Sequence, residues 1–489
     1  MNADAGKRRG SCRRSRLQTA AILLVAGLLG AGSASAFDPV YPFVDPLRSQ
    51  PEVLATGVTL PGDSTPVPCP AYKDFATPLA LSEAVDLALC HNPQIKSSWA
   101  NIKIQAGAVG EARAAYLPAV TGSLGRTNDR IRSSNAFIAP SNIDQNTAQG
   151  TLTWRLLDFG GRSANHRAAE NLLTAALASH NATLQKALAG VIQAYCDTLT
   201  TRAAFKAKTE SVEIATQTLH SAKVREGKGT LSQTDTLQAT TALAKASLEK
   251  NRAQGDYDKA LSVLGYLLGV PGNPAITLPE DQDMKVEEHG GKALAAWLEE
   301  TEKHHPALVA ARSQLEAAQQ RVEATRSAGL PFLGLSASYY QNTRPGEAVT
   351  STASKETTVS LMVTVPLFDG FSSTYKLQGA RAQVEQKEAV LADTERQIAM
   401  EVVKAHADAT SALQNLEASA ALLAAAQNAL AVSQRKYAKG AADINELLNT
   451  QAALADARHE RIRCLAEWRS ARLRLFASAG QMGRTVIEE

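Results

Sequence analysis

Two acids follow two glycines at the same distance. Asp235 comes six residues after Gly229 and Glu446 six after Gly440, and each stands three residues beyond a side chain able to cap a helix, Ser232 or Asp443. That three-residue spacing is that of a capping box, in which side-chain oxygens take up orphan N–H groups of a first helical turn. A second use is open to the same residues. If several copies of the chain gathered these carboxylates around one axis, the ring would favour cations through its local field. Capping alone accounts for an acid at each place, and the two roles are compatible. Enzymatic chemistry is poorly served elsewhere. Gly227-Lys228-Gly229-Thr230 hints at a phosphate loop, but the upstream glycine spacing is absent and a helical pattern, not a strand, precedes it. His304-His305 precedes Pro306 at a helix start, the other histidines are scattered, and no nucleophile elbow or metal-ligand spacing occurs. The reading is a non-enzyme without cofactor or metal.

The cysteines speak to compartment. Residues 1–36 read as an export signal, with six basic residues ahead of an apolar run from Ala20 to Gly30 and Ala34-Ser35-Ala36 as the cleavage site. Cys12 precedes the apolar run, where a lipid-anchoring cysteine would follow it, so no lipid anchor is expected. Six of the 51 basic and one of the 48 acidic residues fall in that segment, leaving 45 against 47 and a formal charge of −2. The basicity of the whole chain therefore says nothing about nucleic acid. Export places the remaining cysteines in an oxidising compartment. Cys69 and Cys90 flank the start of the first helical pattern and form a candidate disulfide, whereas Cys196 and Cys464 read as buried free thiols.

These residues sit on a pattern that occurs twice. Asn92-Pro93, Pro118, Asp158 and the Gly229-to-Asp235 turn return as His305-Pro306, Pro331, Asp369 and the Gly440-to-Glu446 turn, at an offset of 213 residues from Pro118 to Pro331 and 211 from Asp235 to Glu446. Duplication of a whole structural unit is the reading. It divides the chain into signal (1–36), proline-rich arm (37–78), first repeat (79–270), connecting segment (271–292), second repeat (293–479) and tail (480–489). Each repeat reads as helix, two short strands, a very long helix, a glycine turn and a helix. From Val384 to Ala426 a series steps by seven, through Leu391, Ile398, Ala405, Ala412 and Ser419, with a partner series Glu388, Glu395, Val402, Ala409, Leu416, Leu423 and Leu430. Such strict spacing implies a left-handed coiled coil. The segments 161–227 and 371–440 would each reach on the order of 100 Å as helices.

The strands are expected at about 119–127, 148–157, 332–341 and 357–367. Val359, Leu361, Val363 and Val365 alternate with small or polar residues, as do Leu152, Trp154 and Leu156, and aromatic residues cluster near the ends. That is the pattern of strands with lipid on one side and a wet lumen on the other. No other segment of the mature region approaches the roughly 20 apolar residues of a spanning helix. Four strands cannot close a membrane barrel, so several chains must share one.

In these residues the chain resembles the TolC family of outer-membrane efflux and type I secretion ducts. The resemblance covers about 79–479 and rests on Leu81 to Pro93, Tyr116-Leu117-Pro118, Pro366-Leu367-Phe368-Asp369-Gly370, Tyr437-Ala438-Lys439-Gly440 and Glu446-Leu447-Leu448. It implies an α+β membrane protein, a homotrimer in which three chains form one 12-stranded barrel continued by a 12-helix coiled-coil periplasmic tunnel, with the proline-rich breaks around the tunnel's middle. It implies outer-membrane lipid, a periplasmic adaptor and an inner-membrane ABC transporter or proton-driven pump as partners. By the same resemblance Asp235 and Glu446 are pore-gate acids, Gly229 and Gly440 are tip turns, and Thr234, Asp235 and Tyr437 are latch candidates. The family's arginine and aspartate after the second turn are replaced by Ala442 and Asn449. The cysteines around Cys69 to Cys90 look more like the protein-secreting branch, including exporters of adenylate cyclase-haemolysin. A multidrug efflux duct is the alternative within the fold, and a periplasmic coiled-coil scaffold without a barrel is the alternative outside it.

Overall fold

The computed structural model describes residues 45–57, 78–132, 141–230, 232–270, 276–279, 292–343, 354–439 and 441–483. The export segment, Cys69 and Gly440 lie outside them. After the short turn α1 (Val53–Thr56) come α2 (Leu81–His91), α3 (Pro93–Ala114), β1 (Ala119–Ile131), β2 (Ser141–Leu157), α4 (Gly161–Gly227) and α5 (Gln233–Leu267). The same order follows again in α6 (Leu294–His304), α7 (Pro306–Ala328), β3 (Phe332–Thr343), β4 (Ser354–Thr364), α8 (Ser372–Ala438) and α9 (Ile444–Ser478).

Local chemistry sets the boundaries. Asn92 Oδ1 accepts from the Gln94 N–H at 2.8 Å and His305 Nδ1 from that of Ala307 at 3.2 Å, each ahead of a proline at the first helical position, where its missing N–H costs nothing. The turns from strand into long helix share one device. Asp158 Oδ2 accepts from the Arg162 N–H and Asp369 Oδ2 from the Ser373 N–H, both at 2.8 Å. Two left-handed residues follow each aspartate, Phe159 and Gly160 (φ 51° and 96°) in one half and Gly370 and Phe371 (φ 67° and 66°) in the other. The turn requires two such residues, and each half supplies one glycine and one phenylalanine in opposite order.

Both long helices run for 67 residues. On α8 the buried positions Ile398, Val402, Ala412, Leu416, Ser419, Ala426, Leu430, Ser433 and Tyr437 follow the three-four rhythm of a coiled-coil seam. Ala426, Leu430 and Tyr437 pack with Leu447, Leu454 and Ala457 of antiparallel α9. Above Ile398 the seam expected from the sequence thins out: Glu388 and Glu395 are exposed. The neighbour there is α7, which α8 meets through polar contacts, Lys387 Nζ to Gln314 Oε1 at 2.9 Å and Arg312 to Glu395 at 3.5 Å. One expectation is corrected. The alanine-rich helix α8 does carry a stretch long and apolar enough for a span by length and composition. Alanine raises hydropathy and equally makes the small knobs of a helix seam, so composition does not separate the two.

A core at mid-height of α4 ties the rest together. Leu184, Leu188, Val191 and Ile192 pack with α2, the end of α5, Ile276, Leu278 and Met482. The Tyr195 hydroxyl donates to the Leu79 carbonyl at 2.8 Å, and Gln185 exchanges two hydrogen bonds with the Met482 backbone. The described part of the N-terminal arm lies higher: Val53 and Leu54, with Leu173 and Leu177, pack against Trp99, Ile102 and Ala176, and Arg113 donates to the carbonyls of Leu47 and Arg48.

The four strands form one antiparallel sheet in the order β1-β2-β3-β4, so β1 and β4 are its edges. Register makes its two faces unlike. Val120 opposes Leu152, Leu152 opposes Ala337, Trp154 opposes Leu335, and Val359, Leu361 and Val363 oppose Ala337, Leu335 and Leu333. Paired residues share a face, so these aliphatics form one continuous band across all four strands. The other face carries Thr121, Ser123, Thr151, Thr153, Ser336, Ser338, Thr358 and Ser360. Val359, Leu361 and Val363 are 70, 65 and 64 % exposed in the single chain. β1, β2 and β4 extend beyond the expected bounds, to Ile131, Ser141 and Ser354, and two further details depart from the sequence reading. A bulge between Arg155 and Leu157 sets Leu157, not Leu156, opposite Leu333, because the inserted residue shifts the alternation by one. And β4 ends at Thr364, which leaves Val365 beyond the paired band.

Candidate functional site: the helical tip

The long helices turn back at two adjacent places, between α4 and α5 and between α8 and α9. At the first, Gly229 adopts φ 72°, the left-handed conformation that closes a helix, and Thr230 N–H and Oγ1 both donate to the Arg225 carbonyl at 3.0 Å. Ser232 then caps α5. Its Oγ accepts from the Asp235 N–H at 3.3 Å, while Asp235 Oδ2 accepts from the Ser232 N–H at 3.2 Å and from its hydroxyl at 2.8 Å. At the second turn Asp443 Oδ1 accepts from the Glu446 N–H at 2.7 Å. Gly440, expected as the second tip turn, lies outside the described residues. Both acids thus occupy first turns that are capped as their spacing required.

Their environments differ. Asp235 is half-buried and committed to its box, whereas Glu446 is exposed and pairs with Lys436 Nζ at 3.4 Å. Thr234 is exposed. Tyr437 is buried in the α8–α9 seam at 7 % exposure, and its hydroxyl finds no partner among the described residues. The residue that does join the two turns is Arg225, in the last turn of α4. Its guanidinium lies 4.5 Å from the centroid of the Tyr437 ring and donates to the carbonyls of Tyr437 and Ala438 at 3.0 and 3.4 Å. Those carbonyls belong to the last turn of α8, where backbone acceptors lack helical partners and the macrodipole favours a cation. Tyr437 is therefore at the junction, but as the platform for an arginine instead of a hydroxyl donor. Sequence reasoning missed Arg225 because its partners are main-chain oxygens. The one signal available was the 211-residue offset, which equates Arg225 with Lys436, another cation of the tip.

Cys90 is disulfide-bonded, while Cys196 and Cys464 are free and buried. Burial pushes the Cys196 thiol up to about 11, so it stays protonated. Higher up, the imidazole of His180 is buried beside Trp99 with Nδ1 2.7 Å from the Ser98 hydroxyl, and burial holds its pKa down to about 4.

Comparison with known proteins agrees with this architecture. The family model described as "Outer membrane efflux protein" matches twice, over residues 84–270 and 297–481. The chain is 37 % identical over 440 residues to Protein CyaE of Bordetella pertussis, covering 89 % of this chain and 92 % of that protein. It is 25 % identical over 270 residues to the alkaline protease secretion protein AprF of Pseudomonas aeruginosa, covering 55 % of this chain and 56 % of that one. Among solved structures, the CmeC outer membrane channel of Campylobacter jejuni superposes with a TM-score of 0.74 at 16 % identity, covering 83 % of this chain and 86 % of that one. With the family matched across both halves of the chain, this protein belongs to the outer membrane efflux protein family, whose members are outer-membrane channels with a helical periplasmic part.

Proposed function

We propose that three copies of this chain form a passive exit duct of a type I secretion system, one 12-stranded barrel continued by a 12-helix tunnel. The observation that carries the assembly is the sheet: four strands, two open edges, and an aliphatic band facing outward over all four. A membrane leaves no unpaired edge, and four strands are too few to close alone. Pairing β4 of one copy with β1 of the next satisfies both edges and puts the hydroxyl-rich face in the lumen. The helical tips then meet below. A periplasmic adaptor and an inner-membrane transporter, an ABC protein or a proton-driven pump, supply recruitment and energy.

Protein secretion is preferred to drug efflux because of the matches to an alkaline protease secretion protein and a proteases secretion protein. The cargo on this reading is a polypeptide, of the kind exported as repeat toxins. The description of the matched family favours efflux as the second reading. Deleting the gene separates them. Loss of one or a few proteins from the culture supernatant with unchanged drug susceptibility supports secretion; increased susceptibility with an intact secreted proteome overturns it in favour of efflux.

A further inference from the structure

The upper helical wall contains a hollow that the tip chemistry does not use. It measures about 330 Å³ and is touched by four helices, α3, α4, α7 and α8. Gln105, Gln314, Arg321, Gln383, Gln386 and Lys387 give it a polar lining, and among the described residues no carboxylate lines it. Lys387 donates to Gln314, an amide that leaves its charge uncompensated, and neither cation makes an ion pair among the described residues.

The hollow and the N-terminal arm flank α4 on different sides, with Ala176 between them. On α4, Leu173 and Leu177 join Val53 and Leu54 around Trp99, Ile102 and Ala176, and His166 and Glu170 meet Arg113, which holds the backbone of Leu47 and Arg48. The hollow takes Leu172, Ala175, Ala176 and Ser179 from the same helix, and Ala176 also belongs to the cluster under the arm. At about 100° per residue Leu172, Ala175 and Ser179 point away from His166, Glu170, Leu173 and Leu177, with Ala176 at the border between the two sets. The four helices continue the four strands in order, so a hollow shared by all of them lies on the inner, concave side once the sheet closes.

We propose that this hollow is a lumenal site for an acidic, extended polypeptide segment, and the proposal rests on the duct reading above. Amide side chains can both donate to and accept from peptide groups, whatever the sequence that passes. The two uncompensated cations add a preference for carboxylates, and three copies would ring the lumen with six. The charge is opposite to that of the tip acids, from which the hollow is separated along α8 by roughly 75 Å at 1.5 Å per residue.

The test uses the full-length trimer in planar bilayers, with deca-glutamate added on the extracellular side. In the Asp235→Asn/Glu446→Gln background, which removes the tip acids as a second cation site, deca-glutamate should reduce the current in a concentration-dependent way and deca-lysine should not. The R321Q/K387Q trimer, verified by native mass, should need a roughly tenfold higher concentration for half-block, and R321K/K387R should behave as the wild type. Equal block of wild type and R321Q/K387Q, or equal block by deca-lysine, overturns the proposal. So does full competition by sulfate with no dependence on peptide length, which would mark a site for small anions. A wild-type protein that assembles into no conducting trimer overturns the duct reading itself, a failure distinct from an open channel that peptide does not block.

Discussion

Arg225 ties the end of α4 to the end of α8 through one ring and two carbonyls, and a charge-assisted bond to an orphan carbonyl is stronger than a neutral one. Arg225→Gln keeps some donor capacity but loses the charge and the ring contact. The variant should raise the resting conductance of the reconstituted channel several-fold without loss of trimer, and unchanged conductance would show that the tip is held elsewhere. The acids are tested separately. Asp235→Asn with Glu446→Gln preserves volume and much capping while removing the field, so an intact trimer should lose cation preference and divalent-ion block; unchanged selectivity would leave capping as their whole role. His180 sets a pH dependence. Its folded pKa, about 4, lies below the ordinary histidine value, so between about pH 6.5 and 4 the unfolded chain binds the extra proton and stability falls as pH falls. The loss is on the order of 3 kcal/mol when complete. Denaturant midpoints measured across that window should fall in the wild type and fall less in His180→Leu.

Among the elements, the strands make the sharpest distinction between neighbouring residues. Val363 belongs to the aliphatic band and Thr364 to the opposite face. An arginine at Val363 should cost roughly 2–4 kcal/mol if it sits near the bilayer midplane, whereas one at Thr364 should be mild; equal tolerance in heat-modifiability or refolding assays would discard the register. The sequence made the long helices legible because 67 residues of alanine-rich pattern between glycines leave few alternatives, and the lower seam because a seven-residue rhythm is visible by eye. It did not show where that seam stops, since α9 ends where α7 takes over and the change of neighbour is a tertiary fact. Nor could it show the bulge at 155–157: three residues of alternating type do not announce an insertion. At the tip the two caps were legible as spacing, while the arginine that joins them was not, because a carbonyl partner leaves no mark on residue type.

For the whole molecule, the mid-height core is where covalent and packed constraints meet. Cys90 closes α2 there and is disulfide-bonded; we assign Cys69 as its partner. The 20-residue loop between them would contribute roughly 3 kcal/mol in the chain-entropy model. Peptide mapping of the unreduced mature protein should find the two joined, and a free thiol at Cys69 would refute the assignment.

The open edges of the sheet carry a genetic consequence. If no copy can finish a barrel without its neighbours, a chain that assembles but cannot open spoils every complex it enters. Co-expressed in equal amount with the wild type, it would leave only about one complex in eight free of defect, given random mixing in a three-fold closed ring. Closed-gate alleles of this gene should therefore be dominant, while alleles that prevent the edges from pairing should be recessive, because their products never reach a shared wall.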